Sequence, residues 1–162
     1  MIHLICGHTG AGKSTYTRQL AEQRNAIYFS LDDWTKTLYF PDIDGEIEIE
    51  WMLQRIERCE TLMWSLCQQL IKRGSELIFD VGLSKYSHRQ KFRDLAAEQN
   101  IQCQLHYITA DKHTRLQRVL SRNATKPETY SFDVSAEMFE FMESWVEEPD
   151  TEELRGAILI TT

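Results

Sequence analysis

The chain has 162 residues, 42% hydrophobic and 27% charged, with a formal net charge of −7, a length that suits one sizeable core and predicts a single domain over 1–162. No apolar run approaches the length of a membrane span, and the acidic balance argues against the basic surface that gripping a polyphosphate backbone favours. The N-terminus lacks a signal-peptide pattern and the cysteines Cys6, Cys59, Cys67 and Cys103 form no C-x-x-C pair, so a cytoplasmic protein with reduced, packing cysteines is expected.

The apolar run 2–6 predicts a first buried strand, and 13–23 a helix with Tyr16, Leu20 and Ala21 toward the sheet. Between them stands Gly7-His8-Thr9-Gly10-Ala11-Gly12-Lys13-Ser14, followed by Thr15, which satisfies G-x-x-x-x-G-K-[ST] in the strand-to-helix context that the motif requires. Glycines let the loop curl so that backbone N–H groups converge, and the helix N-terminus adds the positive end of its dipole. Lys13 is the candidate to span the β- and γ-phosphates, and Ser14 to ligate Mg²⁺, with Thr15 a weaker substitute. His8 holds a variable position of the loop, and its side chain has no role that the motif assigns.

Residues 26–30 predict a second short strand, and 31–40 a short helix capped by Asp32 or Asp33 and ending before Pro41. A helical period over 47–73 turns Trp51, Ile56, Met63, Leu66, Leu70 and Ile71 inward, with Gly74 as the stop. Residues 76–81 read as a third strand, 87–98 as a helix with a Ser cap, and 102–108 as a fourth strand. Asp111 caps a helix to about 123, 124–133 is a polar loop, 135–147 is helical, and 157–161 closes as a strand. Strands alternating with helices predict a parallel five-stranded sheet between helical layers, α/β in class, with ligands at the carboxyl ends of the strands.

Three features near those ends carry chemistry. Asp32 or Asp33 stands where an acceptor would approach and is a candidate general base, Asp32 favoured because it comes first after the strand. Asp80 closes an apolar strand as a Mg²⁺-holding acid does. Arg115, Arg118 and Arg122, spaced i, i+3, i+7, share a helical face that predicts a lid over about 111–133, with Arg118 and Arg122 the stronger candidates for phosphate. The aromatics Trp34, Tyr39, Phe40, Trp51 and Trp64 either line an acceptor pocket or pack the core. The five histidines show no metal-ligand spacing.

Together these residues resemble the small bacterial P-loop kinase-like proteins often labelled ATP-binding or AAA-family proteins, whose wider group holds 5′-hydroxyl polynucleotide kinases, chloramphenicol phosphotransferase and zeta-type toxins. The resemblance runs through Gly7 to Thr15, Ser30-Leu31-Asp32-Asp33-Trp34, Ile78-Phe79-Asp80, Arg118-Val119-Leu120-Ser121-Arg122-Asn123 and Trp145-Val146-Glu147-Glu148-Pro149-Asp150. It implies a three-layer P-loop NTPase fold with a helical lid, and an ATP- and Mg²⁺-dependent phosphotransfer to a hydroxyl of a small acceptor, with Asp32 as base and Arg118 and Arg122 as lid arginines. The arginine that follows the Asp-Asp pair in polynucleotide kinases meets Thr35 here, with Lys36 one position on, which weighs against a nucleic-acid end as acceptor. Plain ATP hydrolysis and a nucleotide-gated binding module are the other readings. No readable motif decides between ATP and GTP.

Overall fold

A computed structural model describes residues 1–45, 48–127, 130 and 133–162. The start of the predicted 47–73 helix and residues 128, 129, 131 and 132 of the predicted polar loop lie outside the described residues. Five strands, β1 (Ile2–Cys6), β2 (Ile27–Ser30), β3 (Leu77–Asp80), β4 (Cys103–Thr109) and β5 (Ile158–Thr161), form one sheet in the order β2-β3-β1-β4-β5. All pairings are parallel, with Ile2 in register with Leu77 on one side and Cys103 on the other. Every residue of β1 is buried, as a central parallel strand covered on both faces must be.

The helices are α1 (Lys13–Arg24), α2 (Leu31–Leu38), α3 (Ile49–Ile71), α4 (Tyr86–Ala97), α5 (Lys112–Thr125), α6 (Ala136–Trp145) and α7 (Thr151–Leu154). Side-chain alternation along the strands splits the core between them. Ile2, Leu4 and Cys6 pack with Cys59, Met63, Trp64 and Cys67 of α3 and Phe92 and Ala96 of α4. Ile5, Ile78 and Ile108 pack on the other face with Leu20 and Ala21 of α1. Three layers result, and a small satellite core of Val119, Val134 and Phe139 joins α5 to α6. On the α1 face a buried polar chain runs from Glu76 to Nε2 of His3 (2.5 Å), from Nδ1 of His3 to Nε2 of His106 (2.8 Å), and from His106 to the Tyr16 hydroxyl (2.8 Å).

Several local expectations are corrected. Ser30, not an aspartate, caps α2, accepting from the Asp33 amide, and at the start of α4 the distant Glu147, not a serine, accepts from the Tyr86 amide at 3.0 Å. Leu66 is 41% exposed rather than inward, because Cys59, Met63 and Cys67 hold the buried face of α3. Helix α7 was not anticipated from periodicity. It is four residues long and rests on an Asp150–Glu153 capping box. Among the described residues no helix is long and apolar enough to cross a membrane, and the four cysteines are free thiols.

Candidate functional site

Loop 7–12 leaves the end of β1 with Gly7, Gly10 and Gly12 at positive φ. At Gly10, φ is +79° and a Cβ would stand 2.5 Å from the Arg115 carbonyl oxygen, so only glycine fits. No side chain caps the start of α1, which leaves its first-turn amides and dipole turned toward the crevice above the sheet. That crevice has a volume of about 460 Å³. Gly7, Thr9, Gly10, Gly12, Lys13, Ser14 and Thr15 line it from the loop, and Asp32 and Asp80 from the ends of β2 and β3. Arg118 and Arg122 line it from α5.

Lys13 Nζ donates to the carbonyls of Gly7 (2.9 Å) and His8 (3.0 Å). Burial lowers its pKa, against the pull of Asp80 and Asp32. The Ser14 hydroxyl donates to Oδ2 of Asp80 at 3.2 Å. Burial pushes Asp80 up to about 6, with Lys13 opposing and Asp32 adding to the rise. Burial likewise raises Asp32, with Lys13 opposing and Asp33 reinforcing. Two carboxylates and one ammonium thus share a space in which each alters the others' charge state, as titratable groups in functional clefts do.

Asp32 lines the crevice while Asp33 faces the small recess beside it with Tyr28 and Arg18. The Ser14 hydroxyl and Asp80 carboxylate make a hard oxygen donor pair. That suits Mg²⁺, which takes one or two protein oxygens and completes its shell with water and substrate phosphates. Nε of Arg122 is buried without a hydrogen-bond partner among the described residues, a donor at a crevice wall that an anion would satisfy. Arg118 Nη1 donates to the Thr162 hydroxyl at 2.7 Å, and that hydroxyl donates to the Ala11 carbonyl at 3.1 Å.

The third arginine of the predicted face does not reach the crevice. Arg115 is buried, donates to the carbonyls of Ala110 (2.9 Å) and Thr9 (3.3 Å), and forms a two-pronged ion pair with Glu143 of α6. The aromatic set lies elsewhere too: Trp64 packs between Phe79 and Phe92, Trp34 on Phe29, and Tyr39 on Trp51. An unexpected group lines the crevice instead, Met142, Trp145 and Val146 from α6 and its exit, with Val134 and Pro127. Helix α6 was predicted, but its place over the loop depends on pairings such as Arg115 with Glu143, 28 residues apart, that no local pattern reveals. His8 also points away from the crevice, toward Glu143 (3.1 Å) and Glu148 (3.2 Å). Thr35 is buried and bonded to the Leu31 and Asp32 carbonyls, while Lys36 reaches the Tyr130 carbonyl at 3.3 Å.

The profile of the AAA domain family matches residues 2–149. Guanylate kinase of Helicobacter pylori is 25% identical over 142 residues, 78% of this chain and 66% of that protein's length. Among solved structures, Chaetomium thermophilum Kti12 in complex with ADP-AlF3 superposes with a TM-score of 0.73 at 13% identity, covering 100% of this chain and 88% of that one. Mycobacterium tuberculosis APS kinase CysC, in complex with AMPPNP and APS, gives a TM-score of 0.62 at 16% identity, covering 99% and 87%.

Proposed function

The chain belongs to the AAA domain family, and on that premise we propose that it is an ATP-dependent phosphotransferase that moves the γ-phosphoryl group to a hydroxyl of a small-molecule acceptor. The observation that carries the reading is the meeting of Lys13, Ser14, Asp80, Asp32, Arg118 and Arg122 around one crevice over the strand ends. A carboxylate at this crevice serves an acceptor hydroxyl as it would an attacking water, so Asp32 supports a nucleophile losing a proton and the likeness to kinases favours a hydroxyl over water. The guanylate kinase and APS kinase likenesses support a kinase and leave the acceptor open.

In this reading the loop amides and the α1 N-terminus hold the phosphates, and Lys13 turns from the Gly7 and His8 carbonyls onto the β- and γ-oxygens. Mg²⁺, held by Ser14 and Asp80, would neutralise charge between the β- and γ-phosphates. Asp32 accepts the acceptor's proton, its raised proton affinity bringing it closer to neutral pH than a solvated carboxylate. Arg118 and Arg122 stabilise charge spreading over the transferred group. Catalysis is mostly positioning and electrostatics. The segment over about 111–133 serves as the lid, in one domain with the rest of the chain.

The test is transfer from γ-labelled ATP to a panel of sugars, nucleosides, antibiotics and 5′-hydroxyl oligonucleotides. Label on a small acceptor is expected. Label on the oligonucleotides alone moves the reading to a polynucleotide kinase, and label only in free phosphate moves it to an ATPase. Lys13→Ala should abolish nucleotide binding, and Asp32→Ala should keep binding and lose transfer. Full transfer by Asp32→Ala would remove Asp32 as the base.

A further inference from the structure

Two residues of the phosphate loop, His8 and Thr9, each have one group on the nucleotide side and another on α6. The His8 carbonyl accepts from Lys13 Nζ at 3.0 Å, while its ring lies between the carboxylates of Glu143 (3.1 Å) and Glu148 (3.2 Å). Thr9 lines the crevice and gives its carbonyl to Arg115 at 3.3 Å, while its hydroxyl donates to the Met142 sulfur at 3.3 Å. Glu143 joins the two, since the carboxylate facing His8 also takes both prongs of Arg115. His8 is 9% exposed, Arg115 5% and the Glu143 side chain 14%, so water competes little for the contacts that meet at Glu143, whereas Glu148, 67% exposed, adds a solvent-screened one. The same helix carries Met142 and Trp145 into the crevice wall, Met142 beside Thr9 of the loop.

Resting on the reading of this crevice as a nucleotide site, we propose that Glu143 is a positioning residue that locks the front of the phosphate loop to α6. Nucleotide binding then sets the position of the crevice wall that Met142 and Trp145 form. When phosphate draws Lys13 away from the His8 carbonyl, the backbone of His8 is released while its ring stays pinned, and the change passes through Glu143 to α6. Nucleotide binding is therefore coupled to the position of α6, and by linkage whatever holds α6 alters nucleotide affinity in turn.

Hydrogen exchange on the full chain, with and without saturating ADP·Mg²⁺, tests this. In the wild-type protein nucleotide should slow exchange in both loop 7–12 and helix Ala136–Trp145, the latter by about tenfold, the order of magnitude of one charge-assisted contact. In Glu143→Gln the loop should still be protected, and the slowing in α6 should fall below about twofold. Lys112→Ala, which breaks the exposed Lys112–Glu140 pair between α5 and α6 at 2.7 Å, should leave the slowing intact. A role confined to stability would speed α6 exchange equally with and without nucleotide and leave their ratio unchanged. Equal ratios in wild type and Glu143→Gln would overturn the proposal, as would loop protection in the wild type with no response in α6. Absence of loop protection in the wild type would instead remove the nucleotide-site reading, and this proposal with it. Should Glu143→Gln fail to fold, His8→Ala keeps the Arg115–Glu143 pair and carries the same comparison with the same outcomes.

Discussion

Replacing Asp80 by asparagine separates what this residue does for a bound metal from what it costs the empty protein. Burial is the largest cause of the rise of its pKa from 3.8 to about 6. At about 1.4 kcal/mol per tenfold change in proton affinity, that rise corresponds to ~3 kcal/mol. Because the residue is only partly buried, solvent screening reduces this to about 1–2 kcal/mol. The sign follows from proton uptake. Between pH 3.8 and about 6 the native state binds a proton that the unfolded chain has lost, so Asp80's stabilising contribution is full below that window and is lost as pH rises through it. Asparagine mimics the protonated form and its carbonyl still accepts from the Ser14 hydroxyl. With chelator present, Asp80→Asn should therefore be more stable than wild type by about 1–2 kcal/mol at pH 8, a gap that narrows as pH falls below 6. Urea denaturation across that range, read as the difference between the two proteins, cancels the titrating groups that do not feel Asp80 and leaves its own titration with that of its neighbours Asp32 and Lys13. A variant less stable than wild type at pH 8, or a gap that does not change with pH, would refute the reasoning. Nucleotide binding in Mg²⁺ should weaken in the same variant.

Other positions give independent tests. Burial holds His106 down at about 4, from 6.5. Its stabilising contribution is full above pH 6.5 and is lost as pH falls toward 4, by up to ~3 kcal/mol. His106→Gln should flatten stability over that window, and parallel pH profiles would sink the assignment. Gly10→Ala places a Cβ 2.5 Å from the Arg115 carbonyl at φ +79° and should cost more than about 2 kcal/mol in chemical denaturation, with loss of nucleotide binding. Wild-type stability there would show that the loop relaxes freely. Glu153 pairs with the buried Arg89 at 2.8 Å through both oxygens and also meets Arg93. Glu153→Ala should cost about 3–5 kcal/mol by leaving a buried guanidinium unpaired, while a folded fraction keeps nucleotide affinity within about twofold.

Much of the frame was legible because it is local. Strand β1 is apolar but for His3 and is followed by the glycine-lysine-serine loop, and Asp80 ends a run of buried residues, so pattern alone indicated both. Asp150 and Glu153 form a D-x-x-E capping signature, the local mark of α7 in the sequence. The wall of the crevice was not legible, since Met142 and Trp145 sit on an ordinary amphipathic helix whose position depends on Arg115 and His8, far away in sequence. Arg115 illustrates the limit from the other side: its spacing matched that of Arg118 and Arg122, and only the distant Glu143 withdraws it from the crevice. The aromatic cluster of Trp34, Tyr39 and Trp64 followed the commoner course of large side chains and joined the core.

The placement of β1 at the centre of the sheet also orders events on the ribosome. Its two hydrogen-bonding neighbours are not the next strand in the chain but β3 and β4, with Ile2 opposite Leu77 and Cys103. A nascent chain that has exposed only β1, α1 and β2 has no direct pairing to make between its strands, because β2 joins β1 only through β3. The residues that will cradle phosphate thus emerge before the strands that fix them and wait until β4 has been made, which is the high-contact-order situation that slows folding. Through that interval the apolar β1 segment is open to other surfaces, so vectorial synthesis should make early-truncated chains aggregation-prone and chains that reach past Thr109 abruptly less so.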